Sequence, residues 1–271
     1  FAGAAAVVHA AALSSPWGRR RDFVRANVDA TENVARACVA AGVPRLVHVS
    51  TPGIYHDGRP HRGIREDHPL PAQAVNHYAA TKREAEARVR DITGGTGVST
   101  VILRPRAIFG PGDTSLLPRI AHALRRGRLP RIGDGECLVD LTYIDSAVAA
   151  VRAAMDAPTR FDGRAFNVSN GEPVRIWEVI DALAHSLGVP RPRPRVPAGI
   201  AWTLAAACEG AYRMVGAQRE PPLLRYGVEL LSVDMTLDIE RARRELGYQP
   251  PVGMQAALET TFAALRAHAA A

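Results

Sequence analysis

Short runs of consecutive apolar residues alternate along this chain with stretches whose apolar positions recur every three to four residues, the pattern of buried strands separated by amphipathic helices. The first run, 6–9, ends in Val7, Val8 and His9 and is followed by small residues. From 22 to 41 the positions Val24, Val28, Thr31, Ala35 and Cys38 share one helical face, and Gly42 with Pro44 ends the pattern. Residues 46–50 then read as a buried strand feeding a polar loop over 51–71. A helix over 76–93 and a strand over 98–103 complete a strand, helix, strand unit. Such units cross over right-handedly and place their functional loops at the carboxyl ends of the strands. The alternation predicts an α/β fold, a mostly parallel, doubly wound sheet with helices on its faces.

Beyond Arg104 the alternation loosens. Helices are expected at 120–126, 144–157 and 176–187, with a strand at 165–169. The Pro/Arg alternation over 190–197 reads as an extended connector into a second lobe. Two interleaved parts follow, about 1–165 and 166–271. The almost wholly apolar stretch 198–208 is too short to span a bilayer, which leaves a core helix, an interfacial helix or the wall of an apolar pocket.

Composition narrows the class. With 47% hydrophobic and 23% charged residues the chain is globular. Cys38, Cys137 and Cys208 are far apart and form no metal-binding spacing, so no metal site is expected and the compartment is read as reducing, the cytoplasm. The net charge of +7 could favour a polyanion, but the basic residues are spread over the chain and the densest stretches, 19–21 and 125–131, lack interleaved aromatics. No nucleic-acid partner is expected.

The sharpest chemical signal is Tyr78 with Lys82. Four residues apart on the expected helix, they stand on one face, and Lys82 is the one lysine in the chain. A free tyrosine titrates near pH 10, so using its hydroxyl as acid and base requires a neighbouring positive charge. A surface lysine beside a half-buried aromatic is the plainer alternative. Ser50 and Thr51 put hydroxyls where a parallel sheet presents its ligand crevice, although Thr51 could equally cap a turn. Asn27, polar on an apolar helix face, reads by itself as a satisfied core amide.

Together these pieces resemble the extended short-chain dehydrogenase/reductase family, also called the NAD-dependent epimerase/dehydratase family. The matching stretches are VVHAAA at 7–12, NVDAT at 27–31, VHVSTPGIY at 47–55, YAATK at 78–82 and LRPRAIFGPGD at 103–113, followed in the same order by LTYIDSAVAA at 141–150, FNVSNGEPV at 166–174 and RRELGYQP at 243–250. The resemblance implies a Rossmann-like sheet with a smaller C-terminal substrate-binding lobe and NAD or NADP as cofactor. It makes Tyr78 the acid/base, Lys82 the group that lowers its pKa and holds the nicotinamide ribose, and Thr51 the hydroxyl that orients the reacting oxygen. It puts Ala10, Ala11 and Asn27 along the cofactor cleft, and Pro105 and Ile108 beside the nicotinamide.

The family's opening strand and GxxGxxG turn have no counterpart before Val7. The chain therefore reads as lacking the first three strands, so that 6–9 should be a sheet edge with exposed apolar surface and cofactor binding should be weak. Within the family, Ala107 stands where sugar-nucleotide enzymes commonly carry Asn. RPRAIFGPGD and NGEPVRIWE look instead like the branch of 3β-hydroxysteroid dehydrogenases and 2-alkyl-3-keto acid reductases. The implied activity interconverts a secondary alcohol and a ketone on an apolar or sterol-like substrate. An NDP-sugar epimerase or dehydratase and a cofactor-sensing regulator without turnover are the alternatives. A homodimer through the helices at 22–41 and 76–93, and peripheral membrane contact through 198–208, complete the expectations.

Overall fold

The computed structural model describes residues 1–270. Strand β1 (Val7–His9) is followed by a helix that begins as α1 (Arg20–Phe23), widens into a π-helical stretch (Val24–Asp29) and continues as α2 (Ala30–Ala40). Strand β2 (Arg45–Val49) leads through a 3-10 turn (Pro52–Tyr55) to β3 (His61–Ile64), helix α3 (His77–Thr93) and strand β4 (Ser99–Pro105). Next come β5 (Ile108–Phe109), α4 (Leu117–Arg125), β6 (Arg131–Ile132), β7 (Leu138–Val139), β8 (Thr142–Tyr143), α5 (Ile144–Asp156) and β9 (Asp162–Val168). The chain continues through β10 (Val174–Arg175), α6 (Ile176–Ser186), β11 (Arg195–Val196), α7 (Ala198–Met214), α8 (Arg225–Leu230), β12 (Met235–Leu237), α9 (Glu240–Leu246) and α10 (Met254–Ala270).

The main sheet has the order β1-β2-β4-β9 and every pairing in it is parallel. Helices cover both its faces, which is why β4 is buried from Ser99 to Arg104, with Val101, Ile102 and Leu103 at its apolar centre. Strand β1 is the outer strand, and Val8 is 39% exposed on it, the apolar edge that the sequence predicts. A second sheet, β10-β7-β12-β3, takes β3 from the first half of the chain and β12 from the second, so the two parts interleave.

Two local features position the site. The π-helical stretch adds a residue to the helical turn and brings Asn27 and Val28 inward together, a distortion that the periodicity did not reveal. Behind α3, Glu86 accepts two hydrogen bonds from Arg104 of β4, at 2.8 and 2.6 Å, and a third from Arg90 at 3.0 Å. Arg104 also donates to the Tyr55 hydroxyl, which in turn donates to Asn167 at 3.0 Å. This buried network pins the rotation of α3 against β4 and the 3-10 turn, and so fixes where the residues one and two turns earlier point.

Helix α7 is neither a large-residue core helix nor, over 198–208, a wall of either cavity. Its inward positions are small or polar (Ala201, Ala205 and Glu209), whereas Ile200, Trp202 and Leu204 face outward. None of residues 198–208 lines either of the two best-formed cavities; the pocket wall is made by the helix's continuation, Glu209 and Arg213.

Candidate active site

Asn76 caps α3, its side-chain oxygen accepting the Ala79 N–H at 2.8 Å, and the helix then carries Tyr78 half-buried and Lys82 fully buried toward the carboxyl end of β2. Lys82 Nζ donates to the Val49 carbonyl at 2.5 Å and lies 3.4 Å from His48 Nε2. An ammonium has three donors, so one remains for a ligand. Burial lowers the Lys82 pKa to about 8, against the pull of Glu86. Burial and the Lys82 charge together hold His48 well below the ordinary imidazole range, and His9, stacked on it at 5.4 Å and bonded to Thr31 at 2.9 Å, is lowered for the same two reasons.

The Tyr78 hydroxyl is raised by burial, and the hydroxyls of Ser14 and Thr51 pull it back down by hydrogen bonding. Thr51 caps the 3-10 turn, its Oγ1 accepting the Gly53 N–H at 3.1 Å. Capping and function are compatible: a hydroxyl that accepts one bond keeps its own proton to donate toward Tyr78 or a substrate oxygen. Ser50, by contrast, is buried against Glu86. Thr51 thus lies near the Tyr78 hydroxyl, whereas the Lys82 amine turns to the backbone of β2.

Asn27 does not line the cleft. It is fully buried, and its amide bonds the Leu13 N–H at 2.7 Å, the Leu13 carbonyl at 3.2 Å and the Thr81 hydroxyl at 3.0 Å. With three of its four hydrogen-bonding positions spent inside the protein, it ties the loop after β1 to α3 and so holds Ser14 over Tyr78. Ala10 and Ala11 lie exposed on that loop. Ala10, Pro105 and Ile108 line an apolar groove of about 230 Å³ with Val49, Leu103 and Ile144, at the carboxyl ends of β1, β2 and β4.

A larger cavity of about 830 Å³ lies between Pro16 to Gly18, the start of α3 and the segment from Glu209 to Glu229; Thr51, Tyr78 and Lys82 line neither it nor the groove. Tyr226 lines it and lies close enough to Tyr78 to raise its pKa. Ser14, Tyr226 and His48 were not singled out in the sequence. Ser14 and His48 carried a signal, a serine just past a strand end and a histidine inside a buried strand; Tyr226 carried none.

The profile of the 3-beta hydroxysteroid dehydrogenase/isomerase family matches residues 1–197. The chain belongs to this family. Like its relatives, this 3β-hydroxysteroid dehydrogenase family member is an NAD(P)-dependent oxidoreductase. A 2-alkyl-3-oxoalkanoate reductase from Stenotrophomonas maltophilia is 39% identical over 95% of this chain and 79% of its own length. A 3beta-hydroxysteroid-dehydrogenase/decarboxylase from Arabidopsis thaliana is 34% identical over 97% of this chain and 62% of its own length. Among solved structures, a dTDP-glucose 4,6-dehydratase from Streptomyces venezuelae with bound NAD superposes with a TM-score of 0.75 at 25% identity, covering 99% of this chain and 75% of that one.

The residues present fit the nicotinamide half of the cofactor. An aromatic ring requires an apolar floor, for which Val49, Leu103, Pro105 and Ile108 would serve, and a ribose requires a donor, for which the remaining N–H of Lys82 would serve.

Proposed function

We propose that this family member is a ketoreductase for a large, mostly apolar molecule, with Tyr78 as the proton donor and acceptor, Thr51 as the orienting hydroxyl and Lys82 as the cation beneath them. The observation that carries the reading is the meeting of the carboxyl end of β2 with one face of α3: Ser14 and Thr51 lie close enough to the Tyr78 hydroxyl to lower its pKa, and Lys82 Nζ bonds the Val49 carbonyl two residues before Thr51. When bound, the cofactor supplies or accepts the hydride. Thr51 holds the substrate oxygen beside Tyr78. A phenol whose pKa is raised stays protonated at neutral pH, which suits it to deliver a proton as a ketone is reduced. In the oxidising direction Tyr78 must first lose that proton, which burial and Tyr226 oppose and the hydroxyls of Ser14 and Thr51 favour.

Several relatives reduce or oxidise oxo acids or sterols by their names, which supports an apolar substrate. Pairing of two copies through α2 and α3, and contact of α7 with a membrane surface through Ile200, Trp202 and Leu204, belong to the same proposal. The test is NAD(P)H oxidation with a long-chain 2-alkyl-3-oxo acid and a 3-ketosteroid supplied in turn, and chromatographic analysis of the products when UDP-glucose and dTDP-glucose are incubated with the enzyme and NAD. Turnover of either apolar ketone supports the reading. Turnover restricted to the sugar nucleotides would replace it with epimerase or dehydratase chemistry, and cofactor binding without any turnover would indicate a regulatory protein.

A further inference from the structure

The buried ammonium of Lys82 has no acidic partner. Glu86, one turn further along α3, accepts from Arg104 at 2.6 Å and from Arg90 at 3.0 Å, and no carboxylate pairs with Lys82 among the described residues. Its two acceptors both come from β2, the Val49 carbonyl at 2.5 Å and the His48 ring at 3.4 Å. An ammonium can only donate, so His48 Nε2 is the ring nitrogen without a hydrogen, and Nδ1 carries the proton. That Nδ1 is buried without a hydrogen-bond partner, and the whole residue is 0% exposed. An apolar side chain would fill this position without leaving an N–H unpaired. Packing therefore does not account for an imidazole here, whereas the acceptor it offers to Lys82 does.

His9 packs against the other side of His48. The two are register partners in the pairing of β1 with β2, and their rings are tilted by 33° with centroids 5.4 Å apart. The Thr31 hydroxyl donates to the Asn27 carbonyl at 2.6 Å, so it accepts from His9 Nε2 at 2.9 Å, and α2 thereby holds the His9 ring in place. Building on the part given to Lys82 above, we propose that His48 is its positioning residue: His48 accepts one ammonium N–H, the Val49 carbonyl accepts a second, and the third is left turned away from β2, free for the cofactor. A lysine amine ends a flexible four-carbon stem with three rotatable donors. With the carbonyl as its one acceptor it could rotate about that bond; the second acceptor on the same strand stops the rotation.

Because the chain has one lysine, protein made with lysine carbon-labelled at Cε gives a single NMR signal, and its pH titration reports the Lys82 amine alone, with neither cofactor nor substrate present. The charged and titratable groups around the Lys82–His48 pair, Glu86 and Arg90 on α3 and His9 on β1, are the same in every variant. The original protein should titrate near pH 8. His48→Leu and His48→Met, apolar and of similar volume, remove an acceptor that favours the charged amine. They should lower the midpoint by about half a unit to one unit, the modest size expected of a long hydrogen bond. His48→Gln, whose amide oxygen reaches about as far as Nε2, should keep it within about 0.3 unit of the original. In titrations with NADH and NADPH, the apolar variants should bind the cofactor about three- to tenfold more weakly, and His48→Gln within about twofold of the original. An unchanged or raised midpoint in the apolar variants, a His48→Gln midpoint as low as theirs, or apolar variants that bind cofactor as tightly as the original would each overturn the proposal. Midpoints that move as stated in a protein that binds neither cofactor would support the His48 contact and count against the cofactor role of Lys82 alone.

Discussion

Replacing Lys82 with methionine should stabilise the protein at neutral pH even as it removes the cation from the active site. Lys82 is 1% exposed, and burial takes its pKa from 10.5 to about 8. Between those values the unfolded chain binds more protons than the folded one, so stability rises with pH across that window. Below about pH 8 the buried ammonium costs about 3 kcal/mol, at about 1.36 kcal/mol per pKa unit, and the cost falls to about 1 kcal/mol by about pH 10. Methionine fills nearly the same volume without the charge. It leaves the Val49 carbonyl without its 2.5 Å donor, a loss of about 1 to 2 kcal/mol. The net gain at about pH 7 is then about 1 to 2 kcal/mol, and it should shrink by about 2 kcal/mol by about pH 10, where the variant becomes equal to or less stable than the original. Urea denaturation of both proteins at the two pH values measures this directly. A stability difference that stays the same at both pH values would refute the reasoning, since it would mean that Lys82 carries no depressed pKa.

Two further changes probe the frame around the site. Glu86→Gln breaks a pair whose side chains are 2% and 4% exposed, and should cost about 3 kcal/mol or more in denaturant midpoint measurements. Because Arg104 holds the Glu86 carboxyl below its ordinary value of 4.5, the original protein should also lose stability on acidification below about that pH, and the variant should lose less. Ala107 sits at a φ of 43°, in the left-handed region. Ala107→Gly should relieve about 1 to 2 kcal/mol of backbone strain and give back part of it as unfolded-state entropy, for a net gain of about 0.5 kcal/mol seen as a higher Tm.

What was legible in the sequence was what depends on near neighbours. The i, i+4 spacing of Tyr78 and Lys82 on one helix, the strand expected at 46–50 that leads to Thr51 and is found at Arg45–Val49, and the parallel alternation all follow from local periodicity. Asn27 was visible as a polar residue on an apolar face, but its partners, Leu13 and Thr81, lie 14 and 54 positions away, so its role as a clamp and not a cleft residue depended on tertiary contact. The stretch 198–208 was weighed by its hydropathy, whereas only the side facing inward matters, and that side carries alanines. The charged wall of the cavity was the least legible part. Glu209 and Arg213 are one helical turn apart, but His56 meets Glu229 across 173 positions, and no spacing rule connects them.

The central claim, that Tyr78 moves the proton during hydride transfer, is tested most directly by single-turnover and steady-state rates of Tyr78→Phe with the best ketone substrate. The phenyl ring keeps the packing and removes only the hydroxyl that Ser14 and Thr51 contact. The rate of the chemical step should fall by about a thousandfold, within the range for losing a positioned general acid, while substrate affinity changes by no more than about threefold. A Tyr78→Phe enzyme whose chemical step stays within about tenfold of the original would contradict the account.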